Sequence, residues 1–369
     1  MPYEKINVEN LLEWFSKNKR DLPWRKTRNP YHIWISEVML QQTQVTTVIP
    51  YYHRFLEQFP TVEALARARI EDLMKCWEGL GYYARVRNLQ AAAQTILREH
   101  NGLLPNTRRE LQELKGFGAY TSASVASLAF GEDCVAIDGN VLRVFARLYA
   151  IQDDIRRPAT KSKIEALAAQ NLPAGRAGEY NEALIELGAT ICTPRRPRCS
   201  ACPLSQDCAA FQQNAVSAYP FKPPKPKIPH HEIAVGIVQR RDEVLIALRP
   251  PRGLLGNLWE FPGGKREQNE SLVECCKREV EEETSLQVEV GVCLAVVKHA
   301  YTHFKITLHA FLCQYMSGVA VPRRSQQVRW VKIAELDKFA FPKATQKVIE
   351  ALKHLNDTKT LPLFANSVP

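Results

Sequence analysis

The sequence has no uninterrupted apolar run near the ~18 residues that would suggest a membrane-spanning helix, and no membrane partner is expected. Its opening residues, MPYEKINVENLLEWF, lack a basic segment followed by an apolar one. No export signal is read there, and a cytoplasmic location is expected. Obvious internal repeats are missing too, and glycine supplies only 17 of the 369 residues. With 45% hydrophobic and 24% charged residues the chain can bury real cores, which excludes a wholly disordered or collagen-like protein. At roughly 150 residues per domain the length predicts two or three domains. Acids are in deficit, 39 against 49 Lys and Arg, for a net charge of +10. The excess favours a polyanionic partner, nucleic acid first, but many basic proteins bind none and charge alone leaves the question open.

Ten cysteines in a chain expected to be cytoplasmic do not suggest a disulfide framework. Cys76, Cys134, Cys275, Cys276, Cys293 and Cys313 are scattered and read as small buried hydrophobes. Cys192, Cys199, Cys202 and Cys208 form a cluster. Four thiolates within seventeen positions can close around one metal centre, either zinc or an iron–sulfur cluster. Zinc sites usually pair their ligands in two short hooks. Here the gaps are six, two and five, with Pro194, Pro197 and Pro203 stiffening the loops. Arg195, Arg196 and Arg198 within the loop are either a solvated surface or a grip for phosphates.

From Val8 to about Ala210 apolar residues recur at three- and four-residue spacings, as in VENLLEWFSK, YHIWISEVMLQQ and VLRVFARLYA, and predict helices. Residues 216–231 carry a Pro- and Lys-rich stretch read as a stiff basic linker. The texture then changes. IAVGIVQRRDEVLIAL predicts two strands joined at Arg240–Asp242, LVECCKREVEEE a helix, and QVEVGVCLAVVKHA, KITLHAFLCQY and VRWVKI further strands. A last helix is expected near ATQKVIEALKHL. The expected domains are therefore an all-α one over 1–215 and an α+β one over 232–356, with a loosely ordered tail at 357–369.

Several residues admit two readings. Gly116 and Gly118 bracket a tight turn that is either an ordinary helical hairpin or one whose backbone N–H groups meet a DNA phosphate. Asp138, before the helix VLRVFARLYA, is either a helix N-cap or a group facing substrate. Glu37 lies in the apolar run IWISEVML. It sits either on an exposed stripe or in a cavity, where desolvation would keep it protonated as an acid catalyst needs. Glu279, Glu282 and Glu283 share one helix face and are either a solvated acidic surface or oxygen ligands for Mg2+.

Placed together, these stretches resemble the MutY adenine DNA glycosylases, of the endonuclease III or helix-hairpin-helix superfamily, from about residue 8 to 350. The resemblance rests on LPWR at 22–25, SEVMLQQTQV at 36–45, WEGLGYYARVRNL at 77–89, IDGNV at 137–141 and NEALIELGATICTPRRPRC at 181–199. It implies a helix-hairpin-helix glycosylase domain holding a [4Fe–4S] cluster on Cys192, Cys199, Cys202 and Cys208, then a Nudix-fold domain. The implied activity is base-excision repair of duplex DNA by a monomer, removing adenine opposite 8-oxoguanine or guanine. Glu37 would protonate adenine N7 and later assist water, Asp138 would stabilise an oxocarbenium-like sugar, and Tyr120 and Asn140 would support them. Trp24, Arg25 and Glu182 would line the base pocket. Gln42 and Tyr82 match intercalating positions, though Tyr82 and Tyr83 could equally be core. Lyase-type relatives carry Lys at position 120, where Tyr120 cannot form a Schiff base, so the implied glycosylase is monofunctional.

The second domain contains a Nudix box from Gly264 to Leu286, with Ser285 in place of its Gly. MutY proteins usually lose this box and use the domain to read 8-oxoguanine, through a loop resembling Tyr301-Thr302-His303. The alternative is a nucleotide pyrophosphohydrolase of the 8-oxo-dGTP type, alone or as a second activity. Thr345 stands where MutT proteins carry their base-reading Asn. A non-catalytic mismatch sensor is a third reading, and the joint presence of Glu37 and Asp138 argues against both it and a hydrolase that the helical half merely tethers to DNA.

Overall fold

The computed structural model describes residues 4–224 and 228–358. Part of the expected linker, 225–227, and the tail beyond 358 lie outside the described residues. The chain divides into two compact units. One holds the residues up to Arg67 and those from Asn88 to the linker; the other holds Ala68–Arg87 and the chain beyond the linker. The division is not sequential, because Ala68–Arg87 groups with the sheet rather than with its helical neighbours in sequence.

The helices before the linker are α1 (Val8–Asn18), α2 (Pro30–Leu40), α3 (Val45–Gln58), α4 (Val62–Arg67), α5 (Ile70–Trp77), α6 (Ala84–Glu99), α7 (Arg108–Glu113), α8 (Ala119–Phe130), α9 (Gly139–Leu148), α10 (Pro158–Gln170), α11 (Ala177–Thr190) and α12 (Ala209–Gln212). Among the described residues no strand precedes His230, and no helix is long and apolar enough to cross a membrane. Periodicity does not announce α10. Pro50 inside α3 lacks a backbone donor, yet burial of Val48, Tyr52 and Phe55 outweighs that loss. The core of the first unit joins Leu11, Leu12 and Phe15 of α1 to Val144 and Phe145 of α9, Ile164 of α10, and Tyr180, Leu184 and Leu187 of α11.

Helix α2 positions the site. Asn29 caps it, its side chain accepting from Tyr31 N at 2.9 Å, and Pro30 opens it with a preset φ. Tyr31, Ile33, Trp34, Ile35, Ser36, Glu37, Val38 and Met39 are all buried. A helix apolar on every side has no solvent stripe to offer a carboxylate, so Glu37 is taken into the interior.

The second unit carries one seven-stranded sheet: β1 (His230–Arg240), β2 (Glu243–Leu248), β3 (Trp259–Glu260), β4 (Gly263–Lys265), β5 (Gln287–Ala300), β6 (Lys305–Ser317) and β7 (Gln327–Lys332). The main order is β3-β2-β1-β6-β5, with β4 on β1 and β7 on β2. Strands β1 and β6 run parallel, from His230 beside Lys305 to Gln239 beside Gln314. Helices α13 (Leu272–Thr284) and α14 (Lys343–Thr358) cover opposite faces. Val235 and Ile237 pack towards Val348 and Leu352 of α14, while Ala234 and Val238 pack towards Cys276 and Val280 of α13. This two-sided burial is why the β1 stretch IAVGIV is apolar throughout. Five of the six scattered cysteines are buried as expected; Cys293 is exposed instead. It lies on edge strand β5 between two register shifts, which leave its side chain outside the core.

Candidate active site

A cavity of about 680 Å³ opens in the first unit, within the size range of small-molecule sites. Its walls bring together Trp24, Arg25, Glu37, Gln42, Gly116, Gly118, Tyr120, Asp138, Asn140 and Glu182, which are far apart in sequence. Glu37 is 6% exposed, and its Oε2 closes no hydrogen bond of ordinary geometry. Burial drives its carboxyl up to about 7 against the Tyr120 and Ser124 hydroxyls, with Glu182 and Asp138 adding to the rise. Burial, then the charges of Glu37 and Asp138, push the Tyr120 phenol well up, so it stays a neutral donor.

The two readings of Asp138 are both true. It caps α9, Oδ1 accepting from Asn140 N at 2.8 Å and Val141 N at 2.7 Å, while Oδ2 accepts from Asn140 Nδ2 at 2.7 Å. The same side chain lines the cavity. Burial raises its carboxyl, and the three donors oppose the rise. Arg143 Nη2 donates to Asn140 Oδ1 at 2.8 Å and fixes that amide's orientation. Gly188 of α11 is needed here, since a Cβ on it would lie 2.5 Å from Asn140 Cβ.

Arg25 Nε donates to Glu182 Oε1 at 3.0 Å and its Nη2 to Glu186 Oε2 at 2.9 Å. Arg20 adds two further bonds on Glu186, at 2.7 and 2.8 Å. Burial would raise the Glu186 carboxyl, but Arg20 and Arg25 outweigh it and hold it low. Sequence reasoning missed Glu186, Arg20 and Ser124. Only the spacing of Glu182 and Glu186, four apart on α11, hinted that one cation could hold both.

Around the cavity mouth, Gly116 sits at φ 85, and a Cβ there would lie 2.7 Å from Asn88 Cβ. The turn therefore requires glycine. Gly118 has φ −79 and open space beside it, so its lack of a side chain leaves room for a ligand rather than relieving strain. Gln42, exposed at φ 57, follows α2 on the same cavity wall. In the second unit the two tyrosines part company. Tyr83 is buried, whereas Tyr82 is 44% exposed and its hydroxyl lies 2.9 Å from Thr302 Oγ1. Thr302 and His303 are exposed, and Tyr301 is partly buried beneath them.

Cys192, Cys199, Cys202 and Cys208 line one small cavity. Among the described residues no three His, Cys, Asp or Glu side chains are placed to hold a single metal ion. Four thiols lining one space are a donor set that an iron–sulfur cluster can use. Arg147 buttresses the loop, donating to Cys192 Sγ at 3.2 Å, Thr193 O at 2.8 Å and Pro194 O at 3.2 Å. Arg195, Arg196 and Arg198 are exposed.

Glu279 and Glu282 of the Nudix box are paired with basic groups. Arg278 Nη1 donates to Glu279 Oε1 at 2.9 Å, and Arg324 lies 2.9 Å from Glu282 Oε2 and 3.6 Å from Glu279 Oε2. Glu283 Oε2 accepts from Gly263 N at 3.1 Å, and burial together with Glu260 pushes its carboxyl up to about 7. Two guanidiniums and a backbone N–H thus each engage one or more oxygens of these three carboxylates. Ser285 takes the left-handed conformation, φ 61, that the box's Gly would adopt, and Arg323 Nε donates to its hydroxyl at 2.8 Å. Thr345 is buried in the wall of a separate cavity of about 420 Å³ with Glu260, Glu279 and Glu283.

Comparison with known proteins agrees with this geometry. Residues 35–174 match the family described as HhH-GPD superfamily base excision DNA repair protein, 192–208 the iron-sulfur binding domain of endonuclease III, and 234–351 the NUDIX domain. The adenine DNA glycosylase of Mus musculus is 34% identical over 92% of this chain and 76% of its own length. That of Arabidopsis thaliana is 39% identical over 70% and 47%, and that of Buchnera aphidicola (strain APS) 27% over 93% and 96%. A solved thermostable thymine-DNA glycosylase covers 56% of this chain and 95% of its own, at 29% identity and a TM-score of 0.50. A buried carboxyl facing a second acid, a cysteine loop fit for an iron–sulfur cluster and near full-length likeness converge, and the chain belongs to the adenine DNA glycosylase family, N-glycosyl hydrolases of base-excision repair.

Proposed function

We propose that this chain is a monomeric, monofunctional glycosylase that releases adenine paired with 8-oxoguanine, or with guanine, from duplex DNA. The observation that carries this reading is Glu37, a carboxyl buried in a cavity that Asp138 also lines, where burial raises it to about 7. An extruded adenine would enter between Trp24, Arg25 and Glu182. Glu37 gives its proton to N7, and the glycosidic electron pair leaves on the base. The sugar's positive charge falls to Asp138, which Asn140 and two backbone N–H groups keep oriented. Water then adds at C1′ and its proton returns to Glu37. Tyr120 supplies a hydroxyl and no amine, so no Schiff base forms.

An iron–sulfur cluster on the four cysteines would supply a rigid fold for the loop rather than chemistry on the sugar. Gln42 and Tyr82 would fill the gap that extrusion leaves, and Thr302 with His303 would read the opposite 8-oxoguanine. With Glu279 and Glu282 paired to Arg278 and Arg324, the second unit favours lesion reading over nucleotide hydrolysis. The test is single-turnover base release from duplexes bearing A opposite 8-oxoguanine, guanine or cytosine. Release is expected fastest opposite 8-oxoguanine, then guanine, then cytosine. Equal rates on all three, or no release, would overturn the proposal.

A further inference from the structure

The cavity contains a hydroxyl that the proposed mechanism does not use. Ser124 lies on α8 four residues after Tyr120, so both side chains sit on the same helix face. It is fully buried and lines the cavity with Glu37 and Asp138. Neighbouring hydroxyls have ordinary partners. Ser122 Oγ donates to Gly118 O at 3.0 Å, Ser127 Oγ to Ser124 O at 3.2 Å, and Thr121 Oγ1 accepts from Gln41 at 3.0 Å. Ser124 Oγ and Glu37 Oε2 are different: both are buried, and neither closes a hydrogen bond of ordinary geometry. Two such atoms facing one cavity are unfavourable at rest and are arranged for a state in which Glu37 changes.

We propose that Ser124 is a positioning residue for Glu37: once Glu37 has given up its proton, the Ser124 hydroxyl donates to the carboxylate alongside Tyr120 and holds it aimed at the incoming water. This rests on the reading of Glu37 as the proton donor. The step balances: the proton passes from Glu37 to the departing base, Ser124 keeps its own, and Glu37 is reprotonated by the water that adds to the sugar. Other groups facing Glu37 act in known directions. Asp138 from the start of α9 and Glu182 from α11 disfavour its charge, Tyr120 favours it, and Arg25 is engaged by Glu182 and Glu186. Helix α3 adds only Val45 to the wall. The Ser124 hydroxyl already favours the charged form of Glu37.

The experiment is the pH dependence of single-turnover adenine release by the full chain, for wild type, Ser124→Ala, Ser124→Thr and Glu37→Gln. Ser124→Ala is expected to slow the plateau about tenfold and to move the midpoint of the alkaline limb up by about one pH unit, because Glu37 loses a donor to its charged form. Ser124→Thr, which keeps the hydroxyl, should return the midpoint to that of wild type. A merely structural role would scale the rate at every pH and leave the midpoint in place, and that result overturns the proposal. If Glu37→Gln keeps wild-type rates, the donor reading fails and the proposal with it. If Glu37→Gln is inactive while the Ser124→Ala midpoint stays put, only the Ser124 role fails.

Discussion

Asn140 Nδ2 donates to Asp138 Oδ2 at 2.7 Å, two residues along the chain at the opening of α9. The bond stiffens the carboxylate that must face the sugar's charge, and Arg143 stiffens the amide in turn. Asp138→Asn is expected to lower single-turnover adenine release by at least about a thousandfold while leaving lesion-duplex binding in place. Asn140→Ala should cost about ten- to a hundredfold, the worth of one charge-assisted bond. Near wild-type rates in Asp138→Asn would remove that residue from the mechanism.

Glu37 is predicted to make the protein less stable as it ionises. Its carboxyl is raised from an ordinary 4.5 to about 7 in the folded state, so its relative stabilisation is full below about 4.5 and is lost as pH rises through 7. Glu37→Gln, which does not titrate, should therefore gain on wild type between pH 5 and 8, by up to about 3 kcal/mol. Paired thermal melts at the two pH values measure this. A difference independent of pH would show that Glu37 does not titrate in that window.

Tyr120 determines whether a covalent intermediate forms through residue 120. Borohydride added during turnover is expected to trap little enzyme–DNA adduct, and strands should break only after added base. Efficient trapping would show an amine elsewhere attacking the sugar.

The cysteine loop predicts a coloured protein with about four irons and matching sulfide per chain. Cys199→Ser should lower iron content and loosen the loop that Arg147 buttresses, weakening DNA binding at moderate salt. Stoichiometric zinc without sulfide in anaerobically purified protein would refute the cluster.

In the Nudix box, Arg324 competes with any divalent cation for Glu279 and Glu282. Wild-type chain is expected to show no Mn2+ binding by paramagnetic titration at millimolar metal, and no hydrolysis of 8-oxo-dGTP or dGTP. Arg324→Ala should gain Mn2+ affinity, because crowded carboxylates lose one compensating charge. Metal-dependent hydrolysis by the wild type would restore the second activity.

The helices and strands were largely legible because each buries either a periodic apolar face or an unbroken apolar run, and that pattern is written in residue order. The turn at Gly116 and the cap at Asp138 were legible for a similar reason: both are local geometries needing particular residue types. What local pattern left open was direction. Glu37 could have been solvent-facing, and only the packing of α2 on all sides put it in the interior. Tyr82 and Tyr83 are chemically alike, and the fold exposes one and buries the other.

By itself the sequence determined the element types, the cysteine loop and the acids available for catalysis, since these follow from side-chain chemistry and short-range spacing. Only the tertiary structure decided which charges meet. Glu186 is joined to Arg20 and Arg25 across more than a hundred and sixty residues, and Arg324 to the Nudix acids of α13. Ser124 was brought to Glu37 by the packing of α8 on α2. The strength and even the sign of an electrostatic effect depend on distance and burial, and neither is defined until the chain has folded.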